Sequence, residues 1–157
     1  PQPGIVFKDL TPVMGNASSM QRITKKLADP FRDSGITAVA GVEARGFIFG
    51  ALVARELQIG FIPLRKPGKL PADSHSVSYE LEYGTAALEM HTDAATKIDR
   101  VLLVDDVMAT GGTAAASCEL VGKTGAVIAG CAFVVELDFL DGRKLLNPYF
   151  IHSLIHF

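Results

Sequence analysis

The stretch that most restricts how this chain can fold is Val101-Leu102-Leu103-Val104-Asp105-Asp106-Val107-Met108-Ala109-Thr110-Gly111-Gly112-Thr113-Ala114. Its continuous apolar run reads as a strand buried on both faces, as in the centre of a parallel sheet. Two acids end that run, and a Thr-Gly-Gly-Thr turn leads into a helix expected over 113–123. A buried strand feeding a helix through such a turn gathers carboxylates and backbone N–H groups at the carboxyl edge of the sheet, where α/β domains bind their ligands.

The rest of the chain agrees with that architecture. Apolar runs alternate with amphipathic stretches and there is no internal repeat, which is the pattern of an α/β fold. At 157 residues, a single domain over 1–157 is expected. Ser18 or Ser19 is expected to cap a helix with Met20, Ile23, Leu27 and Phe31 on one face, and Pro30 to kink or shorten it. A strand over 37–42, a helix over 46–57 and a strand over 61–64 make a first strand-helix-strand unit. Residues 65–78 are rich in Lys, Pro, Gly, Asp, Ser and His and read as a long mobile loop. Strands around 79–83 and 85–91 are expected to pair antiparallel about Gly84, a further strand to cover 126–135, and 139–157 to fold back as a small subdomain.

The formal charge of −2 offers no general attraction to nucleic acid or to anionic lipid. No apolar run has the length of about 18 residues that a membrane span needs. Cys118 and Cys131 lack partners at metal-ligand spacing and are expected to be buried free thiols. That cysteine usage fits a reducing compartment, and the expected one is the cytoplasm.

The turn itself carries the chemistry. Gly111 and Gly112 let the backbone approach an anion, Thr110 and Thr113 add hydroxyls, and the following helix presents its positive end. A phosphate monoester fits that cup. Asp105 and Asp106 would repel a phosphate, so they are expected to accept hydrogen bonds from neutral hydroxyls such as the 2′ and 3′ groups of a ribose. A lone Thr-Gly-Gly would be an ordinary turn; the whole constellation is more specific. It lacks the spacing of a nucleotide P-loop and the three glycines of a dinucleotide fold.

The stretch resembles the phosphoribosyl-pyrophosphate signature of type I phosphoribosyltransferases. That resemblance implies an α/β fold with a five-stranded parallel core in a flavodoxin-like arrangement, flanked by helices. It also implies a flexible catalytic loop at 66–78 and a small hood from 1–15 and 136–157 that selects the base. Asp105, Asp106, Ala109, Thr110, Gly111, Gly112 and Thr113 would then hold the phosphoribosyl group.

Further segments resemble the adenine-using members of that family. Gly4-Ile5-Val6-Phe7-Lys8-Asp9 is similar to their hood strand, which implies that Phe7 stacks on adenine while the backbone of Val6 and Lys8 reads its edge. Glu43-Ala44-Arg45-Gly46-Phe47 resembles the pyrophosphate loop, assigning Ala44 and Arg45 to the leaving group. Arg65-Lys66-Pro67-Gly68-Lys69 resembles the basic start of the catalytic loop, with Arg65 and Lys69 as pyrophosphate donors. Tyr79-Glu80-Leu81-Glu82-Tyr83-Gly84 resembles the segment with the acid–base carboxylate, which places Glu82 there beside Arg45 and Lys69 as catalytic residues. Val135-Glu136-Leu137 implies that Leu137 forms the second wall of the adenine slot.

The implied reaction joins adenine to phosphoribosyl pyrophosphate, giving AMP and pyrophosphate in purine salvage. Mg²⁺ would be chelated mainly by substrate oxygens, with no direct protein ligand assigned, and a homodimer is implied. Two alternatives stay open: the same transfer to another purine, or a non-catalytic regulator that binds phosphoribosyl pyrophosphate. A regulator of that kind would be expected to carry an added DNA-binding segment.

Overall fold

In the computed structural model, which describes residues 9–80 and 84–157, five parallel strands form the main sheet in the order β2-β1-β5-β6-β7. These are β1 (Ala38–Val42), β2 (Gly60–Leu64), β5 (Arg100–Met108), β6 (Val127–Glu136) and β7 (Ile151–His156). Counting the sheet strands alone, the order is 2-1-3-4-5, the flavodoxin-like arrangement implied by the sequence. A hairpin of β3 (Ser74–Glu80) and β4 (Thr85–His91) interrupts the chain between β2 and β5.

Helices α2 (Ala17–Ala28) and α3 (Arg45–Leu57) cover one face of the sheet, where Leu27, Phe49 and Val53 pack on Val39, Leu102 and Val134. Helix α4 (Gly112–Gly122) and the hairpin cover the other, with Leu120, Val77 and Leu88 against Leu103, Cys131 and Phe133. The central strands are therefore dry on both sides, which is why 101–104 reads as an unbroken apolar run.

Two features bring α3 close to β1. A Cβ on Gly41 would stand 2.6 Å from the Phe61 ring and 2.7 Å from the Gly46 carbonyl oxygen. A Cβ on Gly50 would meet the same ring at 2.8 Å. Phe61 thus lies over two positions without side chains, and Phe47 meets it edge to face at 5.7 Å.

Several boundaries differ from the sequence reading. Helix α2 is capped by Asn16, not by Ser18 or Ser19: the Asn16 Oδ1 accepts from the Ser19 N–H and the Ser18 hydroxyl, each at 2.9 Å. A short helix, α1 (Thr11–Met14), precedes it. Pro30 ends α2 as expected, leaving a 3-10 turn over Asp29–Phe31 that buries Phe31. The loop read over 65–78 stops at 73, because Ser74–Glu80 pairs with β4. Alternation explains it: Val77 is buried while its polar neighbours Ser76 and Ser78 are exposed. Within the tail, Ile151–His156 joins the main sheet parallel to β6. Cys118 and Cys131 are buried free thiols, as expected. Among the described residues no helix is long and apolar enough to cross a membrane.

The cap assignment has a direct test. Asn16→Ala should lower unfolding stability by about 1 kcal/mol, and Ser18→Ala and Ser19→Ala by much less, in urea denaturation followed by circular dichroism. Equal losses in all three variants would return the cap to the serines.

Candidate active site

The topology fixes where the site lies. From β1 the chain turns through α3 to β2 on one side, whereas β5 lies on the other, so a crevice opens beyond their carboxyl ends. An open cleft of about 620 Å³ occupies it, lined by Glu43, Ala44 and Arg45 after β1, by Asp105 and Asp106 of β5, and by Thr113 of α4. The turn from Ala109 to Thr113 surrounds an adjoining hollow of about 90 Å³, which shares Asp105 and Thr113 with the cleft.

Strand β5 does not end where its apolar run ends. Pairing with β6 continues through Asp105↔Phe133, Val107↔Val135 and Met108↔Glu136, so both acids sit inside a hydrogen-bonded strand. This holds them rigidly, and it crowds them. The Asp106 N–H donates to Asp105 Oδ1 at 2.8 Å, and a Cβ on Gly46 would lie 2.7 Å from that oxygen. Burial, and then the neighbouring Asp106 charge, push the Asp105 carboxyl well above the usual range, toward the neutral acid. Asp106 is 6 % exposed and is matched by an ion pair in which the Arg45 Nε donates to its Oδ2.

The cup is made by backbone. Gly111 has φ +84°, in the left-handed region that glycine enters without strain. It is the N-cap of α4, so the free N–H groups of the first turn face the cleft edge with the positive end of the helix dipole. The Thr113 hydroxyl donates to the Tyr79 Oη at 3.3 Å, joining the cup to the hairpin.

The basic segment is anchored at its root. Glu43 Oε2 accepts from the Lys66 N–H at 3.1 Å and from Arg65 Nε at 3.2 Å. The Lys66 N–H, with Arg65, holds that carboxyl below its usual range. Glu89 Oε2 accepts from the Gly68 N–H at 3.0 Å, and Arg65 and Glu89 exchange backbone hydrogen bonds at 2.8 and 2.7 Å.

Comparison with known proteins sharpens this picture. The model of the phosphoribosyl transferase domain matches residues 15–152. The adenine phosphoribosyltransferase of Nitrosococcus oceani is 60% identical over 157 residues, covering 100% of this chain and 92% of that protein. The chain belongs to the adenine phosphoribosyltransferase family. The crystal structure of the Thermoanaerobacter pseudethanolicus adenine phosphoribosyltransferase superposes with a TM-score of 0.95 at 50% identity, covering 98% of this chain and 90% of that one. That of Trypanosoma brucei, in complex with AMP, pyrophosphate and ribose-5-phosphate, gives 0.88 at 27% identity, covering 96% and 69%.

Against this family's expected site, the structure brings together Ala44, Arg45, Asp105, Asp106 and the 109–113 turn. Arg65 turns back to Glu43, and its Nη1 donates to the Lys69 carbonyl at 3.1 Å. Lys69 is exposed and does not line the cleft, whereas its neighbours Lys66 and Pro67 do. Leu137 sits just past β6, half-buried on the α2–α3 side, with its N–H donating to the Met108 carbonyl at 2.9 Å; it is not a lining residue of the cleft. Val6, Phe7, Lys8 and Glu82 lie outside the described residues. Sequence reasoning passed over Tyr79, and over Glu43 and Glu89 as the groups that anchor the basic segment. Glu43 stood inside a quoted motif; Glu89 gave no local signal.

The Asp105 environment predicts a trade between stability and function. A carboxyl whose folded pKa is raised loses stability as pH rises from the unfolded value, about 4, through the folded one. Asp105→Asn removes that loss while keeping an acceptor for the Asp106 N–H. The variant should have the higher melting temperature near pH 7, with the gain shrinking toward about pH 4, and should bind ribose 5-phosphate more weakly. A wild type that melts higher near pH 7 would contradict the placement of Asp105 as a neutral buried acid.

Proposed function

We propose that this chain transfers the phosphoribosyl group of phosphoribosyl pyrophosphate to adenine, releasing AMP and pyrophosphate. The observation that carries the reading is the meeting, at one sheet edge, of the 109–113 turn, two adjacent acids and the Arg45 loop. The choice of adenine is supported by the family and by the hood residues Val6, Phe7 and Lys8 with Leu137.

In this reading the 5-phosphate sits in the 109–113 turn, held by backbone N–H groups and the Thr110 and Thr113 hydroxyls. Asp105 and Asp106 face the ribose hydroxyls. Asp105, pushed toward its neutral acid, gains the ability to donate as well as accept, whereas Asp106 is paired with Arg45 and accepts. Arg45, with Arg65 and Lys69, receives the departing pyrophosphate; Arg45 exchanges Asp106 for the new anion as it does so. The bond from C1 of the ribose to the pyrophosphate oxygen breaks, and a bond from C1 to the purine nitrogen forms. Charge developing on the leaving oxygens is met by fixed cations and N–H donors. Glu82 takes the proton that the purine ring gives up. Closure of the segment after Lys66 excludes water from the electron-poor sugar carbon.

Magnesium fits this arrangement as a companion of the substrate. The cleft offers hard oxygen donors in Asp105 and Asp106, but one is near neutral and the other is paired with Arg45. Among the described residues, the only cluster of His, Cys, Asp and Glu that could hold a metal lies elsewhere, at Glu136, Asp138 and His156. Asp105 and Asp106 would hold Mg²⁺ through ribose hydroxyls or waters, and the ion would neutralise charge on the pyrophosphate. The same reading treats 1–157 as one domain whose hood is made of residues 1–15 and 136–157. It also takes the protein as a homodimer, on family resemblance, and as acting in the cytoplasm, which free buried thiols suit.

Purified protein with Mg²⁺ and phosphoribosyl pyrophosphate, offered adenine, hypoxanthine, guanine and xanthine separately, should release pyrophosphate with adenine preferred. Faster turnover of an oxopurine would move the assignment to that base. Arg45→Ala and Asp106→Ala should each lower kcat/KM by about a hundredfold with an unchanged circular dichroism spectrum; wild-type rates in either would refute its place in the site.

A further inference from the structure

We infer that Gly142, with the ion pair of buried Glu136 and Arg143 behind it, is a brace that positions the phosphate cup. The inference rests on the function proposed above and names three further positioning residues for it. Beyond β6 the chain makes a 3-10 turn over Asp138–Leu140 and another over Gly142–Leu146. The second turn presses its backbone against the cup. A Cβ on Gly142 would fall on the Ala109 carbonyl oxygen and stand 2.9 Å from the Gly111 nitrogen and 3.1 Å from the Thr110 carbonyl carbon. In the other direction, a Cβ on Gly111 would strike the Gly142 carbonyl oxygen and lie 3.1 Å from its Cα.

The two glycines are required for different reasons. Gly111 has a left-handed φ, whereas that of Gly142 lies outside the left-handed region, so other residues could adopt its backbone. Only the contact with the cup excludes a side chain at 142. Backbone atoms fill that contact, and backbone yields less readily than the end of a side chain.

The ion pair keeps the turn in place. Arg143 forks onto Glu136, with Nε to Oε1 at 2.5 Å and Nη2 to Oε2 at 2.7 Å. Glu136 is 3 % exposed, and without that partner it would keep only the more distant His156 ring, whose Nδ1 lies 3.8 Å away among the described residues. It is also the β6 residue in register with Met108, immediately before the cup, and Leu137 donates to the Met108 carbonyl. The paired strands below and the Arg143 fork above thus clamp the 109–111 backbone between them. A bidentate pair fixes direction as well as distance, which a single contact would not. The clamp also ties the cup to Leu137, so a shift on either side reaches both halves of the proposed site.

The test measures binding of ribose 5-phosphate by calorimetry and steady-state turnover with adenine. Gly142→Ala should raise the Kd for ribose 5-phosphate and the KM for phosphoribosyl pyrophosphate by about tenfold or more, with a smaller change in kcat. Gly122→Ala, at the far end of α4 and with nothing near its Cβ, should match wild type. Arg143→Met should raise Kd in the same direction, and Arg143→Lys, which keeps the charge and loses the fork, should recover part of the loss. Wild-type Kd in folded Gly142→Ala, or in Arg143→Met if the first variant does not fold, overturns the brace. Wild-type protein that binds ribose 5-phosphate but does not turn over adenine overturns the functional reading instead.

Discussion

Two adjacent carboxylates inside a paired strand repel each other and are poorly hydrated, and the way Asp105 and Asp106 escape that conflict organises the whole sheet edge. The two take different routes. Burial drives Asp105 toward its neutral acid, while Asp106 is paired with the Arg45 guanidinium. Arg45 can do so only because α3 begins level with the end of β5, and α3 reaches that level because Gly41 and Gly46 let it approach the strands closely. The same interactions hold a cation, its carboxylate partner and a buried acid side by side at the sheet edge.

The cup depends on backbone from two directions. Its N–H donors come from a turn that only glycine can make, and its outer side is held by a second backbone segment that arrives after β6. Neither contribution involves a side chain touching the proposed ligand. The binding surface is therefore rigid to the extent that the strands and the Glu136–Arg143 pair are rigid, and its shape is set before any substrate arrives.

Much of this was legible in the sequence, for local reasons. The run from Val101 to Thr113 encodes strand, acids and turn within a few residues of one another, and the apolar faces of α2 and α3 are visible without tertiary knowledge. What escaped depends on partners far away in the chain. Asn16 and Ser18 are both good caps, and only backbone geometry chooses between them. The Ser-His-Ser-Val-Ser-Tyr stretch looks like loop because its inward positions are few; β4 reveals it as a strand. Ile151 to His156 is an edge strand whose pairing partner β6 precedes a connection of two 3-10 turns and no α-helix, so no βαβ pattern announces it. Arg45 meets Asp106, and Arg65 meets Glu43, across sequence gaps that no motif spans.

The Phe61 ring carries a consequence for how such a sequence can drift. It rests where Gly41 and Gly50 have nothing, so these three positions behave as one unit of inheritance. A methyl added at either glycine demands a smaller ring, and a smaller ring alone opens a void that neither glycine can fill. Change must come in pairs or not at all, which leaves neutral wandering to the exposed sides of the helices and keeps the distance between α3 and the sheet constant over evolutionary time.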